Sequence, residues 1–339
     1  MKALVLGAGR MGIRHCLGVL KVNDVQKLFI VDINEGALAN AKEQLEGKRG
    51  EVQIVYYLWE DFIKTKENID VAIIASTAGN RVETCKTLSD FNIKYFLIEK
   101  PLGQSIKQVE ELINYFDKQS NSKAFVNLNT RLYTGYKKLK HDLQNLTQFA
   151  GPLTISINTG TVGISANGIH YIDLIKYLTD ANSIEITSAE IDENVIPSGR
   201  GAAFADFGGY AVLDFINKDG NKVAKAHLIL GSNSTALGPW EIVGMHGRIL
   251  IDEFEQTRFN KYRKPDSELP VQRYAGDYLP IETEKFEIPY LNDLTQEWLE
   301  QLLKENYILP EIRETQEVHK TMFSWLNKGK KYKDEFPIT

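Results

Sequence analysis

The sequence predicts an α/β protein: a doubly wound parallel sheet in its N-terminal part, then a second α/β domain built on an antiparallel sheet. Three observations carry this. The chain opens on an apolar run, Ala3 to Leu6, which breaks into Gly7-x-Gly9-x-x-Gly12 and continues with helix-compatible apolar residues to Leu20. Over about the first 120 residues, short apolar runs alternate with helix-spaced stretches, the pattern of parallel strands joined by helical crossovers. Past Gly151-Pro152, strand signals follow one another with only short turns between them, which implies antiparallel pairing.

The elements follow in order. Leu28 to Val31 is the second strand, ended by Asp32, and Ala37 to Leu45 is helical. Val52 to Tyr56 reads as a short strand. Val71 to Ala75 is continuously apolar, as a parallel strand buried on both faces requires. Arg81 to Phe91 sets Val82, Cys85, Leu88 and Phe91 on one helical face. Tyr95 to Ile98 is another buried strand, Ile106 to Phe116 a helix, and Ala124 to Val126 the last strand of this set. Thr154 to Thr161 alternates like a strand, and Ile169 to Leu178 is helical. Ile184 to Ile191, Tyr210 to Ile216, Val223 to Leu230, Trp240 to Val243 and Ile249 to Ile251 read as strands, with Asn217-Lys-Asp-Gly220 as a hairpin turn. Leu291 to Leu303 and Glu314 to Trp325 close the chain as helices. The expected domains are 1–125 and 126–339, with the option that the last helices pack back onto the first domain.

The glycine pattern points to a ligand. Gly7 permits a tight turn, Gly9 lets backbone approach a pyrophosphate, and Gly12 lets helix and strand pack closely. The helix N-terminus, with Arg10 and Met11 in its first turn, offers free N–H groups to phosphates. Asp32, twenty residues after Gly12, stands where a carboxylate accepts hydrogen bonds from the adenosine ribose. The expected cofactor is NAD. NADP is disfavoured because Asp32 would repel a 2′-phosphate and Ile33-Asn34-Glu35 supply no compensating cation. In such sheets ligands sit at the carboxyl ends of the strands, so the chemistry is expected just after Leu6, Val31, Ala75 and Ile98. Ser76 and Thr77 join the cofactor contacts on that ground.

Composition narrows the class. The chain has 339 residues, a 43% hydrophobic fraction and a net charge of −5, which gives no ground for a nucleic-acid partner. Cys16 and Cys85 form no C-x-x-C pair and read as buried free thiols in a reducing compartment. The first residues are already core strand, leaving no room for a signal peptide, and no apolar run reaches the length of a membrane span. A cytoplasmic protein without a membrane partner is expected. His15, His141, His227, His246 and His319 are scattered, so no metal is expected, and no G-x-S-x-G elbow is present. Arg258, Lys261, Arg263, Lys264 and Arg273 populate a polar stretch, read as a solvated loop ahead of an anion-binding one. The basic run Lys328 to Lys333 reads as a solvated tail.

Two constellations carry candidate chemistry. Tyr95 to Ile98 runs straight into Glu99-Lys100-Pro101, so Lys100 falls at the carboxyl edge of the sheet, near the nicotinamide end of a bound cofactor. Pro101 biases Lys100 towards extended backbone, and the bond between them is open to either isomer. In Gly168-x-His170-x-x-Asp173, the histidine and aspartate share a helical face. There Asp173 either orients the imidazole, contacts Lys100, or is a satisfied core partner. A neutral histidine beside a hydroxyl is a general base suited to physiological pH.

The order Gly7-x-Gly9-x-x-Gly12, Glu99-Lys100-Pro101, Asn129-x-Arg131, Gly168-x-His170-x-x-Asp173 resembles the Gfo/Idh/MocA oxidoreductases over nearly the whole chain. The resemblance implies a Rossmann domain followed by an α/β domain with a large, mostly antiparallel open sheet. It implies a homodimer or homotetramer assembled through that sheet. It gives Lys100 the role of binding and polarising the reacting oxygen, and His170 the acid/base role. Glu99 and Lys100 then face the cofactor, and Lys100, Asn129, Arg131, Asn167 and His170 the substrate. The chain departs from the family at Ala166, where many members carry an aspartate, and at Ser76-Thr-Ala-Gly-Asn80-Arg81, which replaces a T-P-x-x-x-H-like loop. Arg81 either reaches cofactor or substrate, or faces solvent.

The expected activity is interconversion of a secondary alcohol and a ketone on a sugar, cyclitol or nucleotide-linked sugar. The rivals are a glycosidase that oxidises its sugar transiently with tightly held NAD, and a non-enzymatic NAD-binding sensor.

Overall fold

Six described strands form a parallel sheet: β1 (Lys2–Leu6), β2 (Lys27–Asp32), β3 (Gln53–Leu58), β4 (Val71–Ile74), β5 (Tyr95–Ile98) and β6 (Lys123–Val126), in the order β3-β2-β1-β4-β5-β6. The helices of this part are α1 (Arg10–Val19), α2 (Glu35–Leu45), the short α3 (Trp59–Phe62), α4 (Arg81–Leu88) and α5 (Ile106–Asp117). The strand order reverses between β1 and β4. Leu6 pairs with Val31 on one side and Ile74 on the other, so the Gly7 turn leaves the sheet at the switch point, where open α/β sheets bind ligands. The core residues Leu4, Leu28, Phe29, Ile30, Ala72, Ile73 and Ile98 are fully buried, consistent with strands covered on both faces.

The second sheet has eight described strands: β7 (Leu153–Gly160), β8 (Ser183–Pro197), β9 (Ala205–Ile216), β10 (Lys222–Gly231), β11 (Trp240–Val243), β12 (Gly247–Asp252), β13 (Thr257–Tyr262) and β14 (Glu282–Lys285), in the order β14-β13-β12-β11-β7-β10-β9-β8. All pairs are antiparallel except β7 with β10. Helices α6 (Thr134–Asn145) and α7 (Ile169–Thr179) precede or interrupt it, and α8 (Leu291–Leu302) and α9 (Gln316–Leu326) follow it. One face of the sheet is apolar and buried through Ile155, Ile157, Leu213, Phe215, Ala226, Leu228, Ile242 and Ile249.

The computed structural model describes residues 1–48, 50–65, 67–160, 162–265, 267, 277–329, 332 and 335–339. Thr161, Arg273 and, in the C-terminal basic run, Lys330, Lys331 and Lys333 lie outside the described residues. The chain divides into two units. One holds Met1–Asn129 with Pro289–His319 and the C-terminal end, the other Thr130–Ile288 with the chain from Lys320. The division therefore falls four residues past the expected 125/126 boundary and returns α8 to the first unit. There a Cβ on Gly18 of α1 would stand 2.4 Å from the Asn292 carbonyl of α8.

The polar stretch read as a solvated loop is corrected. Arg258 and Lys261 lie on β13, and the face this strand buries carries Arg258 and Asn260, which are 1% and 0% exposed. Arg258 is held by Asp142 at 2.7 Å and by Asn260 Oδ1 at 2.7 Å. Arg263 is also buried, and Lys264 pairs with Asp277 at 2.6 Å. Hydrophobic alternation is inverted on this strand, so a reading based on apolar periodicity passes over it. Helix α6 was also missed, although Tyr136, Leu139 and Leu143 recur at helical spacing and are buried.

Candidate active site

The phosphate-binding turn is built by three glycines. Gly7 has φ +103°, a conformation open to glycine, and a Cβ there would lie 2.8 Å from the backbone of Ala75 and Ser76. A Cβ on Gly12 would fall 1.7 Å from the Gly7 carbonyl oxygen. Strand and helix can therefore approach this closely only without a side chain. Gly9, the N-cap of α1, is exposed, with no atom within 4 Å of where its Cβ would stand and no side chain capping the helix. Arg10 is exposed and Met11 partly so. The open N–H groups and positive end of α1 fit a pyrophosphate.

Asp32 closes the other side of this turn. Its Oδ2 accepts from the Ala8 N–H at 2.6 Å and its Oδ1 from the Asn34 N–H at 2.9 Å. A carboxylate retains lone pairs for further donors, so the residue fits a ribose diol as well as a structural tie. Ser76 is half-buried and Thr77 exposed after β4. The donor set as a whole fits NAD.

Lys100 follows β5 directly, is partly exposed, and is joined to Pro101 by a cis peptide bond. The Glu99 side chain, expected at the cofactor, is instead interior, 2% exposed. Its Oε1 meets His15 Nε2 at 2.9 Å and accepts from Asn127 Nδ2 at 2.7 Å. His15 Nδ1 in turn meets the Thr295 hydroxyl at 2.8 Å, and that hydroxyl donates to the Leu291 carbonyl at 2.9 Å. Burial pushes the Glu99 carboxyl up. The hydrogen bond and charge of His15, with Lys100 and Asn127, outweigh it and hold the group down at about 2. The physical reason for the correction is alternation: consecutive residues of an extended chain face opposite ways, so Glu99 and Lys100 do not share an environment.

Arg81 takes neither course expected of it. It is 1% exposed. Its Nη1 donates to the carbonyl oxygens of Glu99 and Pro101, and its Nη2 to that of Ser76 at 2.7 Å. Nearby, His319 Nε2 accepts from the Leu102 N–H at 3.2 Å while Nδ1 donates to the Thr315 carbonyl at 2.9 Å. Burial drives the His319 imidazole down to about 4, with the Arg81 charge adding to it and the Thr315 carbonyl opposing.

In the second unit, His170 is the second residue of α7 and is partly exposed. A π-helical turn, Ile164–Gly168, runs into it. Asp206, on β9 and 6% exposed, caps that turn: it accepts from the N–H groups of Ser165 at 3.0 Å, Ala166 at 2.7 Å and Phe207 at 2.8 Å. Burial raises its carboxyl against these three bonds. No local sequence pattern marks this cap, because it is supplied from a strand forty residues on. Asn167 is exposed beside it.

Asp173, expected to serve His170 or Lys100, faces Arg131. Arg131 Nε donates to its Oδ2 at 3.1 Å and Nη2 to its Oδ1. The other residue of that motif, Asn129, ends the first unit and is partly exposed. Lys100 thus belongs to the first unit, and His170, Asp173, Arg131 and Asn167 to the second. Among the described residues, no group of three His, Cys, Asp or Glu side chains is arranged to hold a metal ion, and no helix is long and apolar enough to cross a membrane.

Residues 1–128 match the family described as "Oxidoreductase family, NAD-binding Rossmann fold" (GFO_IDH_MocA). The first 128 residues thus carry the NAD-binding Rossmann domain of the Gfo/Idh/MocA oxidoreductases. The match supports an NAD-dependent oxidoreductase. A myo-inositol 2-dehydrogenase of Thermotoga maritima is 26% identical over 284 residues, 76% of this chain and 77% of that protein. A UDP-N-acetylglucosamine 3-dehydrogenase of Acidithiobacillus ferrooxidans superposes with TM-score 0.69 at 14% identity, covering 96% of each chain. The transcriptional regulator Gal80p of Kluyveromyces lactis superposes with TM-score 0.72 at 15% identity, over 96% of this chain and 89% of that one. The two solved structures share the fold of this chain. Because one is named as an enzyme and the other as a regulator, the fold alone does not choose a function.

Proposed function

We propose that the protein is an NAD(H)-dependent dehydrogenase that interconverts a secondary alcohol and a ketone on a sugar, cyclitol or nucleotide-linked sugar. The observation that carries this reading is the position of Lys100. It follows β5 at the same sheet edge as the open glycine turn after β1, with β4 between those two strands, and its neighbours on both sides are pinned by buried groups. A silent NAD-binding sensor has no need of a lysine so held. NAD, when bound, supplies the hydride acceptor.

In the oxidative direction His170 takes the hydroxyl proton of the substrate. Lys100 hydrogen-bonds the same oxygen and stabilises the alkoxide charge that develops as hydride leaves the carbon. Asp32 holds the adenosine ribose and the α1 N-terminus holds the pyrophosphate. Asn129, Arg131 and Asn167 contribute on the substrate side, and Asp173 acts by holding Arg131 in place. The names of the relatives support a polyol or nucleotide-sugar substrate. The same reading expects a homodimer or homotetramer formed through the outer face of the second sheet.

The test is a panel containing myo-inositol, glucose and UDP-N-acetylglucosamine with NAD, read by NADH absorbance, repeated on Lys100→Ala. Loss of an oxyanion donor typically costs about 100- to 1000-fold in turnover, with little change in melting temperature for a partly exposed side chain. Near-wild-type turnover in folded Lys100→Ala removes Lys100 from the mechanism. Cleavage of a glycoside over many turnovers without net NADH replaces the dehydrogenase reading by the glycosidase one.

A further inference from the structure

Arg81 opens α4, yet its guanidinium lies in the interior and binds backbone. Its three carbonyl partners, Ser76, Glu99 and Pro101, belong to the segments that leave β4 and β5 at the carboxyl edge of the sheet. Two of them are the residues on either side of Lys100. Carbonyls are left without ladder partners where strands end. A planar guanidinium with five donors in a fixed fork bridges several of them at once, which a lysine ammonium on a flexible stem does not reproduce. The remaining groups of the loop are fixed from other directions: the Glu99 carboxylate by His15 and Asn127, and the Leu102 N–H by His319.

We infer that Arg81 is a positioning residue for Lys100. It ties the backbone on both sides of Lys100 to the Ser76 loop, so that the ammonium leaves from one fixed point. Geometry of this kind matters because a misplacement of about 1 Å costs on the order of 100-fold in rate. The role in turnover rests on the dehydrogenase reading above; the effect on Lys100 itself does not.

The experiment therefore has two arms, on Arg81→Gln and Arg81→Lys. In the first, competitive acetylation with acetic anhydride across pH, read by mass spectrometry, follows Lys100 against the exposed Lys218 of the 217–220 turn. Without the guanidinium bridge, Arg81→Gln changes the labelling rate of Lys100 relative to Lys218 by about threefold or more, because the backbone on both sides of Lys100 is released. A wild-type labelling rate for Lys100 in folded Arg81→Gln overturns the proposal.

In the second arm, turnover of myo-inositol with NAD falls about 10- to 100-fold in Arg81→Lys, because the fork is lost while the charge stays, with the KM for NAD within about twofold. Wild-type turnover in Arg81→Lys overturns the proposal, and this variant carries the test alone if Arg81→Gln does not fold. If the wild-type protein turns over no panel substrate, the dehydrogenase reading fails and the labelling arm still decides the role of Arg81.

Discussion

Arg131 and Asp173 hold each other in a two-point ion pair, with Asp173 1% exposed and the Arg131 side chain 15% exposed. The guanidinium also lies over the Tyr177 ring, 5.2 Å from its centroid. Removing one partner of such a pair leaves a buried charge without compensation. Arg131→Met is expected to cost about 3–5 kcal/mol of stability, and Asp173→Asn less, because a neutral amide can remain buried. Urea denaturation checks this. A loss under about 1 kcal/mol for Arg131→Met would mean that Asp173 finds another partner.

NAD is expected to bind more tightly than NADP. Both Asp32 oxygens already accept backbone N–H groups, so the carboxylate is fixed in place and cannot swing away from a 2′-phosphate. Calorimetric titration with each cofactor measures the gap. Asp32→Ala should weaken NAD and narrow the difference, and equal affinities in the wild type would count against the assignment.

His319 makes the fold acid-sensitive. Its Nε2 must be unprotonated to accept from Leu102 N–H, and burial holds its pKa down at about 4 against 6.5 for the free group. A depressed folded pKa means that the unfolded chain binds more protons, so stability rises with pH through this interval. The contribution is complete above pH 6.5 and is lost as pH falls towards 4, in all about 3 kcal/mol by linkage. His319→Gln keeps an acceptor and does not titrate. Melting temperatures of that variant should fall less between pH 6.5 and 4 than those of the wild type, and parallel curves would refute the linkage.

The outer face of the second sheet presents Tyr210, 36% exposed, paired in register with Ile229, 45% exposed, and Val212 beside His227. A contiguous face of this kind is commonly covered by a second copy in a two-fold contact. Light scattering should give a multiple of 38.4 kDa, and Ile229→Glu should shift it towards the monomer while leaving NAD binding intact. A monomeric wild type at micromolar concentration rejects the assembly.

Much of the fold was legible because it rests on local pattern. Val71 to Ile74, Tyr95 to Ile98 and the Trp240 to Val243 strand lie where their apolar runs predict, since burial on a sheet requires such runs. β13 was not legible, because the face it buries carries Arg258 and Asn260, whose solvation cost is met by Asp142 on a helix more than a hundred residues earlier. The parallel pairing of β7 with β10 in the second sheet also escaped a reading of short turns, which reports only neighbours in sequence.

The same division runs through the candidate site. By itself the sequence determined the glycine turn, Asp32 at the end of β2, Lys100 at the sheet edge and His170 on its helix, because residue type and spacing fix each of these within a few turns of chain. Only the tertiary structure decided what holds them: Arg81 on the carbonyls beside Lys100, His15 and Asn127 on Glu99, Asp206 on the turn before His170, and Arg131 on Asp173. A buried polar group must find its partner wherever the fold brings one within about 3 Å, and that partner's place in the sequence obeys no period.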